Sequence, residues 1–275
     1  MSAPAGRGAA VAMPELLRSR PLFGMIHLPP LPGSPRERLD LDGVIDFALD
    51  EVRLLEAAGL DAVIVENVGD PPFFRESVPP VTVAAMGVVV KAVRDATRLA
   101  VGANLLRNAC TEALSIASVT GADFIRCNVV IGAYVTDQGI IEGCAAELAR
   151  LRRTLTHDVA VLGDIHVKHA APLFDVPIED AAADLAERGG ADAVIVSGSR
   201  SPDPPSFERV AAVRETVDVP VLIGSGVSLE NVAGFYERAD GVLIGETDFK
   251  VGGVWGGASD GAAYAEAVRR CRAQG

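Results

Sequence analysis

The chain has 275 residues, 49% of them hydrophobic and 23% charged, which supplies a large core and excludes a disordered polymer. Its formal net charge of -12 has no compensating basic patch, which argues against nucleic-acid polymers and anionic membranes as partners. Cys110, Cys127, Cys144 and Cys271 stand in apolar or helical stretches without a C-x-x-C pair, so they read as reduced core thiols of a cytoplasmic protein rather than a disulfide framework.

Residues 1–20 are rich in alanine, glycine and proline and contain three arginines, but lack the continuous apolar run of a signal peptide or membrane span. They are expected to form a flexible tail ending in a short helix over 14–18. From residue 21 onward, apolar β-branched runs of strand length fall at 22–27, 62–66, 99–104, 123–128, 159–164, 193–197, 219–224 and 241–245. Amphipathic spacing predicts helices between them at 44–58, 83–97, 111–119, 145–155, 180–188, 207–216 and 229–236, with a last one at 262–272. The phrases Gly59-Leu60-Asp61-Ala62, Gly121-Ala122-Asp123 and Gly190-Ala191-Asp192-Ala193 recur at helix-to-strand junctions, with glycine where the helix stops. Eight strand–helix units at this length predict an α/β fold, a closed (β/α)8 TIM barrel forming one domain over 21–275. An open doubly wound sheet is the alternative, lowered by the lack of G-x-G-x-x-G after the first strand. Long connections at 28–42, with four prolines, and at 129–143 both leave C-terminal strand ends, where barrel enzymes build their sites.

Polar residues collect at those ends: His27, Glu66 with Asn67, Asn104, Arg126 with Asn128, Asp164, His166, Lys168, His169, Ser197 and Ser199. Each alone reads equally well as a loop or capping residue, but the ring as a whole points to a small-molecule site. Within Gly163-Asp164-Ile165-His166-Val167-Lys168-His169, period-two geometry would aim Asp164, His166 and Lys168 at one face and so gather acid and base candidates; an ion-paired strand end is the plainer alternative. Glu66 ends an apolar strand and reads as a proton acceptor, a diol ligand, or an ion-pair partner of Arg126 or Lys168. The catalytic candidates are therefore Asp164, His166, Lys168, Glu66 and His27, and the substrate-binding candidates Asn104, Arg126, Asn128, His169 and Ser197. A divalent metal on Glu66, Asp164, His166 and His27 is a minor alternative without a local ligand motif, and no cofactor is expected.

Gly224, Ser225 and Gly226 after the seventh predicted strand, and Gly245, Glu246 and Thr247 after the eighth, match the loops whose amides cradle phosphate in such barrels. The expected partner is thus a small phosphorylated molecule. The plainer reading has Gly224 and Gly226 only shaping a turn with Ser228 as N-cap. Lys250 could add charge, but lies far along its loop.

Gly24-Met25-Ile26-His27-Leu28-Pro29-Pro30, Glu66-Asn67-Val68-Gly69-Asp70, Asn104-Leu105-Leu106-Arg107-Asn108 and Asp164-Ile165-His166-Val167-Lys168-His169-Ala170 resemble the BtpA/SgcQ family, in the expected order, from about His27 to Trp255. The resemblance implies a ribulose-phosphate-binding type of barrel, in a family with some members named for photosystem I biogenesis and others described as nucleosidases. Val68 and Cys127 depart from its phrases, both conservatively in size. The resemblance supplies no role for any residue.

The first function expected is an enzyme that cleaves or rearranges a bond at the anomeric end of a phosphorylated sugar or nucleoside. Asp164 or Glu66 would stabilise or deprotonate the reacting centre, and His166 or His27 would protonate the leaving group. An aldolase-type reaction through a Lys168 Schiff base is the runner-up among enzymes. The alternative is a non-enzymatic soluble assembly factor for a membrane complex such as photosystem I. Ionisable strand ends and the lack of a basic amphipathic helix weigh against it, and no membrane insertion is expected. Homo-oligomerisation is left open.

Overall fold

The computed structural model describes residues 12–273 apart from 37, 168, 199–203 and 255. In chain order the strands are β1 (Leu22–His27), β2 (Ala62–Glu66), β3 (Ala100–Asn104), β4 (Phe124–Cys127), β5 (Ala133–Thr136), β6 (Gly139–Glu142), β7 (Ala160–Ile165), β8 (Ala170–Pro172), β9 (Ala193–Val196), β10 (Val221–Ile223) and β11 (Gly241–Ile244). The helices are α1 (Met13–Arg18), α2 (Leu41–Ala57), α3 (Pro80–Ala96), α4 (Cys110–Thr120), α5 (Ala145–Thr154), α6 (Ile178–Ala183), α7 (Phe207–Thr216), α8 (Val232–Arg238) and α9 (Gly261–Arg272). Eight parallel strands, β1-β2-β3-β4-β7-β9-β10-β11, close into a barrel with β11 beside β1, as the strand–helix rhythm predicts.

Alternation along each strand separates two apolar masses. Phe23, Met25, Ile64, Phe124, Leu162, Ile195, Leu222 and Leu243 fill the barrel, while Leu22, Ile26, Val63, Val65, Val194 and Val242 face the surrounding helices. Gly102 makes room inside: a Cβ there would lie 2.2 Å from the Phe124 ring, which meets Phe23 edge-on at 5.6 Å. α1 buries Leu16 and Leu17 against the interior cluster.

The repeated junction phrase is a fastening. Asp61, Asp123, Asp192 and Asp240 each donate their own N–H to a carbonyl at the start of the preceding barrel strand, on Leu22, Val101, Val161 and Val221, at 2.7–3.0 Å. Each carboxylate then accepts the N–H of that same residue, at 2.7–2.9 Å. An arginine from a helix pairs with each: Arg272 with Asp61, Arg94 with Asp123, Arg152 with Asp192 and Arg214 with Asp240. The barrel's lower rim is thereby tied as four two-strand modules. The fourth, Arg238-Ala239-Asp240-Gly241, lacks the glycine before the aspartate and so escapes the sequence pattern.

Two expectations need correction. The connection at 129–143 is no plain loop: β5 and β6 form an antiparallel hairpin, and β8 adds to the other edge of β5. Tyr134 and Ile141 turn inward to a small core with Val129 and Val167, whereas Val135 and Ile140 face out. The cysteines are not all thiols either. Cys110 and Cys127 form a disulfide, because barrel geometry brings the start of α4 beside the end of β4. Cys144 and Cys271 are free, and burial pushes their thiols up to about 12 and about 11. Among the described residues no helix is long and apolar enough to cross a membrane.

Candidate active site

The carboxyl ends of the barrel strands surround a cavity of about 320 Å³, lined by His27, Glu66, Arg107, Arg126, Asn128, His169, Gly224, Ser225, Gly245 and Glu246 among others. β1 and β2 run in register, which sets His27 beside Glu66, and β3 sets Asn104 on the other side of Glu66. His27 Nε2 lies 3.4 Å from Glu66 Oε2, and Asn104 Nδ2 donates to Glu66 Oε1 at 2.5 Å. Burial raises the Glu66 carboxyl above the ordinary carboxylate range, with Asp164 adding to the effect against the pull of Arg126 and Arg107. Burial also holds the His27 imidazole well below its usual value, helped by Lys250 and Arg126. The pair is thus a carboxyl biased toward its protonated form facing an imidazole biased toward its neutral form.

Across the cavity, Arg126 Nε and Nη2 donate to Asp164 Oδ2 and Oδ1, both at 3.0 Å, and Asn128 Nδ2 donates to Asp164 Oδ2 at 2.8 Å. The Asp164 side chain has no exposed surface, so it positions Arg126 and Asn128 and does not itself line the cavity. Asn128 Oδ1, Ser197 Oγ and Ser225 Oγ are buried without a hydrogen-bond partner among the described residues. Such atoms ask for a ligand or water.

Asp164 and His166, expected on one face, go to different places: Asp164 pairs with Arg126 in the wall of the cavity, and His166 does not join it. β7 ends at Ile165, and His166 has a φ of 51°, which breaks the period-two alternation. Its Nδ1 lies 3.3 Å from Arg209 Nη2, and the residue lines a separate groove of about 770 Å³ beside β5 and α5. His169, with a φ of 57°, is exposed at the rim of the smaller cavity. Lys168, Ser199 and Trp255 lie outside the described residues. With His166 turned away, the four-residue metal set is not brought together. Among the described residues, the sulfurs of Cys110, Cys127 and Cys144 converge instead, two of them in the disulfide.

A model of the BtpA family matches residues 18–270. The chain belongs to the BtpA family. It is 46% identical over 233 residues to an uncharacterized protein of Methanocaldococcus jannaschii, covering 85% of this chain and 88% of that one. It is 44% identical over 225 residues to the photosystem I biogenesis protein BtpA of Synechocystis, covering 82% and 78%. Among solved structures, phosphoribosyl anthranilate isomerase from Thermus thermophilus superposes with a TM-score of 0.58 at 13% identity, over 93% of this chain and all of that one, and shares the barrel fold.

In this BtpA-family barrel the glycines of the last two loops each have a packing reason. A Cβ on Gly224 would sit 2.3 Å from Ile195 Cγ2 and 3.5 Å from Arg126 Nη2; one on Gly245 would sit 2.5 Å from Met25 Cγ. Gly226, at a φ of 71°, donates its N–H to Glu246 Oε1 at 3.0 Å. That amide is engaged by a carboxylate, so Glu246 stands where an anion was expected. Thr247 opens a short 3-10 turn, and Asn231, rather than Ser228, precedes α8.

Two residues went unassigned in the sequence. Arg107 lines the cavity three residues past the end of β3; its place inside the quoted Asn104–Asn108 phrase was the available signal. Lys250 is not remote but buried, donating to Met25 O and Ser259 Oγ at 3.2 Å each, with Glu51 Oε2 at 3.8 Å. Burial lowers its ammonium to about 8.

Proposed function

We propose that this BtpA-family barrel is an enzyme acting on a small phosphorylated sugar or nucleoside by acid–base chemistry at the sugar's anomeric end. The His27–Glu66 contact carries the reading: burial biases the carboxyl toward a proton donor and the imidazole toward a neutral proton acceptor, side by side in one cavity. Glu66 protonates the leaving group, and His27 takes up the proton of the incoming nucleophile. Arg126 and Arg107 supply positive charge for the phosphate. Ser225 Oγ and the Gly224 backbone beside Arg126 complete that end of the cavity, while Glu246 on the Gly226 amide is left to accept sugar hydroxyls. The phosphoribosyl group in the name of the Thermus thermophilus isomerase agrees with this substrate class.

The test is a panel of phosphorylated nucleosides and sugars followed by proton and phosphorus NMR. At least one should turn over with the parent protein and not with Glu66→Gln. If none reacts and none raises the melting temperature, the reading falls.

A second reading, a factor in the assembly of a membrane complex, is favoured by the name of the Synechocystis relative. It requires that Glu66→Gln leave the cellular role intact.

A further inference from the structure

Three sulfurs gather behind the cavity. Cys110 opens α4, Cys127 ends β4 between Arg126 and Asn128, and Cys144 precedes α5. The Cys110–Cys127 bond is buried, Cys144 Sγ lies 3.6 Å from Cys127 Sγ, and all three sulfurs fall within 4.8 Å of one another. Cys144 alone of the three is half-buried, and its neighbours Gly143 and Ala145 line the groove of about 770 Å³. Nothing in the proposed acid–base chemistry uses these atoms.

We propose that Cys110, Cys127 and Cys144 form a redox-active site in which Cys144 carries the buried disulfide outward, to exchange with small thiols and disulfides. The Cys144 thiolate attacks Cys127 Sγ; the Cys127–Cys144 bond forms, the Cys110–Cys127 bond breaks, and Cys110 leaves as a thiolate that takes up the proton Cys144 lost. This step is electron-neutral. A small thiol then attacks Cys144 Sγ, giving a mixed disulfide and the Cys127 thiolate. A second small thiol releases the small disulfide, so two electrons pass from two small thiols to the protein. Oxidation by a small disulfide reverses the sequence. The triangular arrangement sets Cys144 off the S–S axis, and rotation about its Cα–Cβ bond precedes attack. Burial, with Glu147, Glu112 and Glu76 adding to it, pushes the Cys144 thiol up to about 12, so exchange is slow at neutral pH and quickens as pH rises.

The same bond staples two site-bearing segments. Asn108, next to Arg107, accepts from Val129 N at 2.8 Å and donates to Val129 O at 3.0 Å, with its Oδ1 3.3 Å from Cys110 Sγ. Reduction removes the covalent link between the two segments and leaves the Asn108–Val129 hydrogen bonds to hold the Arg107 segment to the Arg126–Asn128 strand end.

The test is peptide mapping after equilibration in mixtures of reduced and oxidised glutathione. In the parent, Cys110–Cys127 should form, and alkylation at partial reduction should trap a Cys127–Cys144 disulfide with Cys110 alkylated. Cys110→Ser should give Cys127–Cys144 directly, and Cys144→Ser should be reduced about tenfold more slowly than the parent. Three free thiols in the parent under oxidising buffer, or parent-rate reduction of Cys144→Ser, would overturn the proposal. The parent trapping experiment decides if a variant does not fold.

Discussion

Asp164 grips Arg126 through both carboxylate oxygens at 3.0 Å while presenting no surface of its own. Asp164→Asn removes the charge and one acceptor and leaves a buried guanidinium under-paired, a loss of about 3–5 kcal/mol. For a chain of this size that is roughly 10 °C in Tm. The sequence alone suggests the opposite, lost turnover with folding intact. A circular-dichroism melt within about 2 °C of the parent would return Asp164 to a catalytic role.

Glu66→Gln keeps shape and the Asn104 contact but cannot release a proton, so turnover should fall at least about a hundredfold. Since burial raises the Glu66 carboxyl, protonated Glu66 persists to higher pH and activity should fall as pH climbs through its value. The same shift makes stability contributed by Glu66 complete below its unfolded value and lost as pH rises through the folded one. Melting curves should therefore show Glu66→Gln gaining on the parent as pH rises above the ordinary carboxylate value. A constant difference would mean Glu66 is ionised throughout.

Lys250 titrates at about 8 in the folded protein against an ordinary value of 10.5. A depressed folded value means the unfolded chain binds more protons in that window, so stability rises with pH between the two values and is lost as pH falls through the lower one. Denaturation at about pH 7 and about pH 9, one unit below and above that value, should show the parent more stable at the higher pH. Lys250→Met should flatten that difference; an unchanged slope would place its cause elsewhere.

Asp240→Ala strips the acceptor from the Val221 N–H and leaves Arg214 without its carboxylate. The expected cost is about 1–3 kcal/mol, and Asp240→Asn should recover part of it by keeping an acceptor. Asp61→Ala, in a different module, should add its effect independently to within about 0.5 kcal/mol. Strong coupling between the two would show the lower rim acting as one unit.

Strand and helix placement was legible because each β-branched run is bounded by its own stop: β1 and β2 fall on 22–27 and 62–66 as read. His27, Glu66 and Arg126 were legible for the same reason, as polar ends of apolar strands. His166 was not, because a positive φ at a non-glycine residue carries no mark in the sequence. The β5–β6 hairpin was signalled by alternating Tyr134-Val135-Thr136 and Ile140-Ile141, but it interrupts a strand–helix rhythm that dominated the reading. The Cys110–Cys127 bond spans 17 residues with no motif; only barrel closure brings its ends together.

α1 seats Leu16 and Leu17 on the interior cluster that runs up through Phe23 and Phe124 to Met25. The barrel is therefore a cup and not a tube. Among the described residues, whatever enters past His169 and Glu246 meets a closed base and leaves over the same rim.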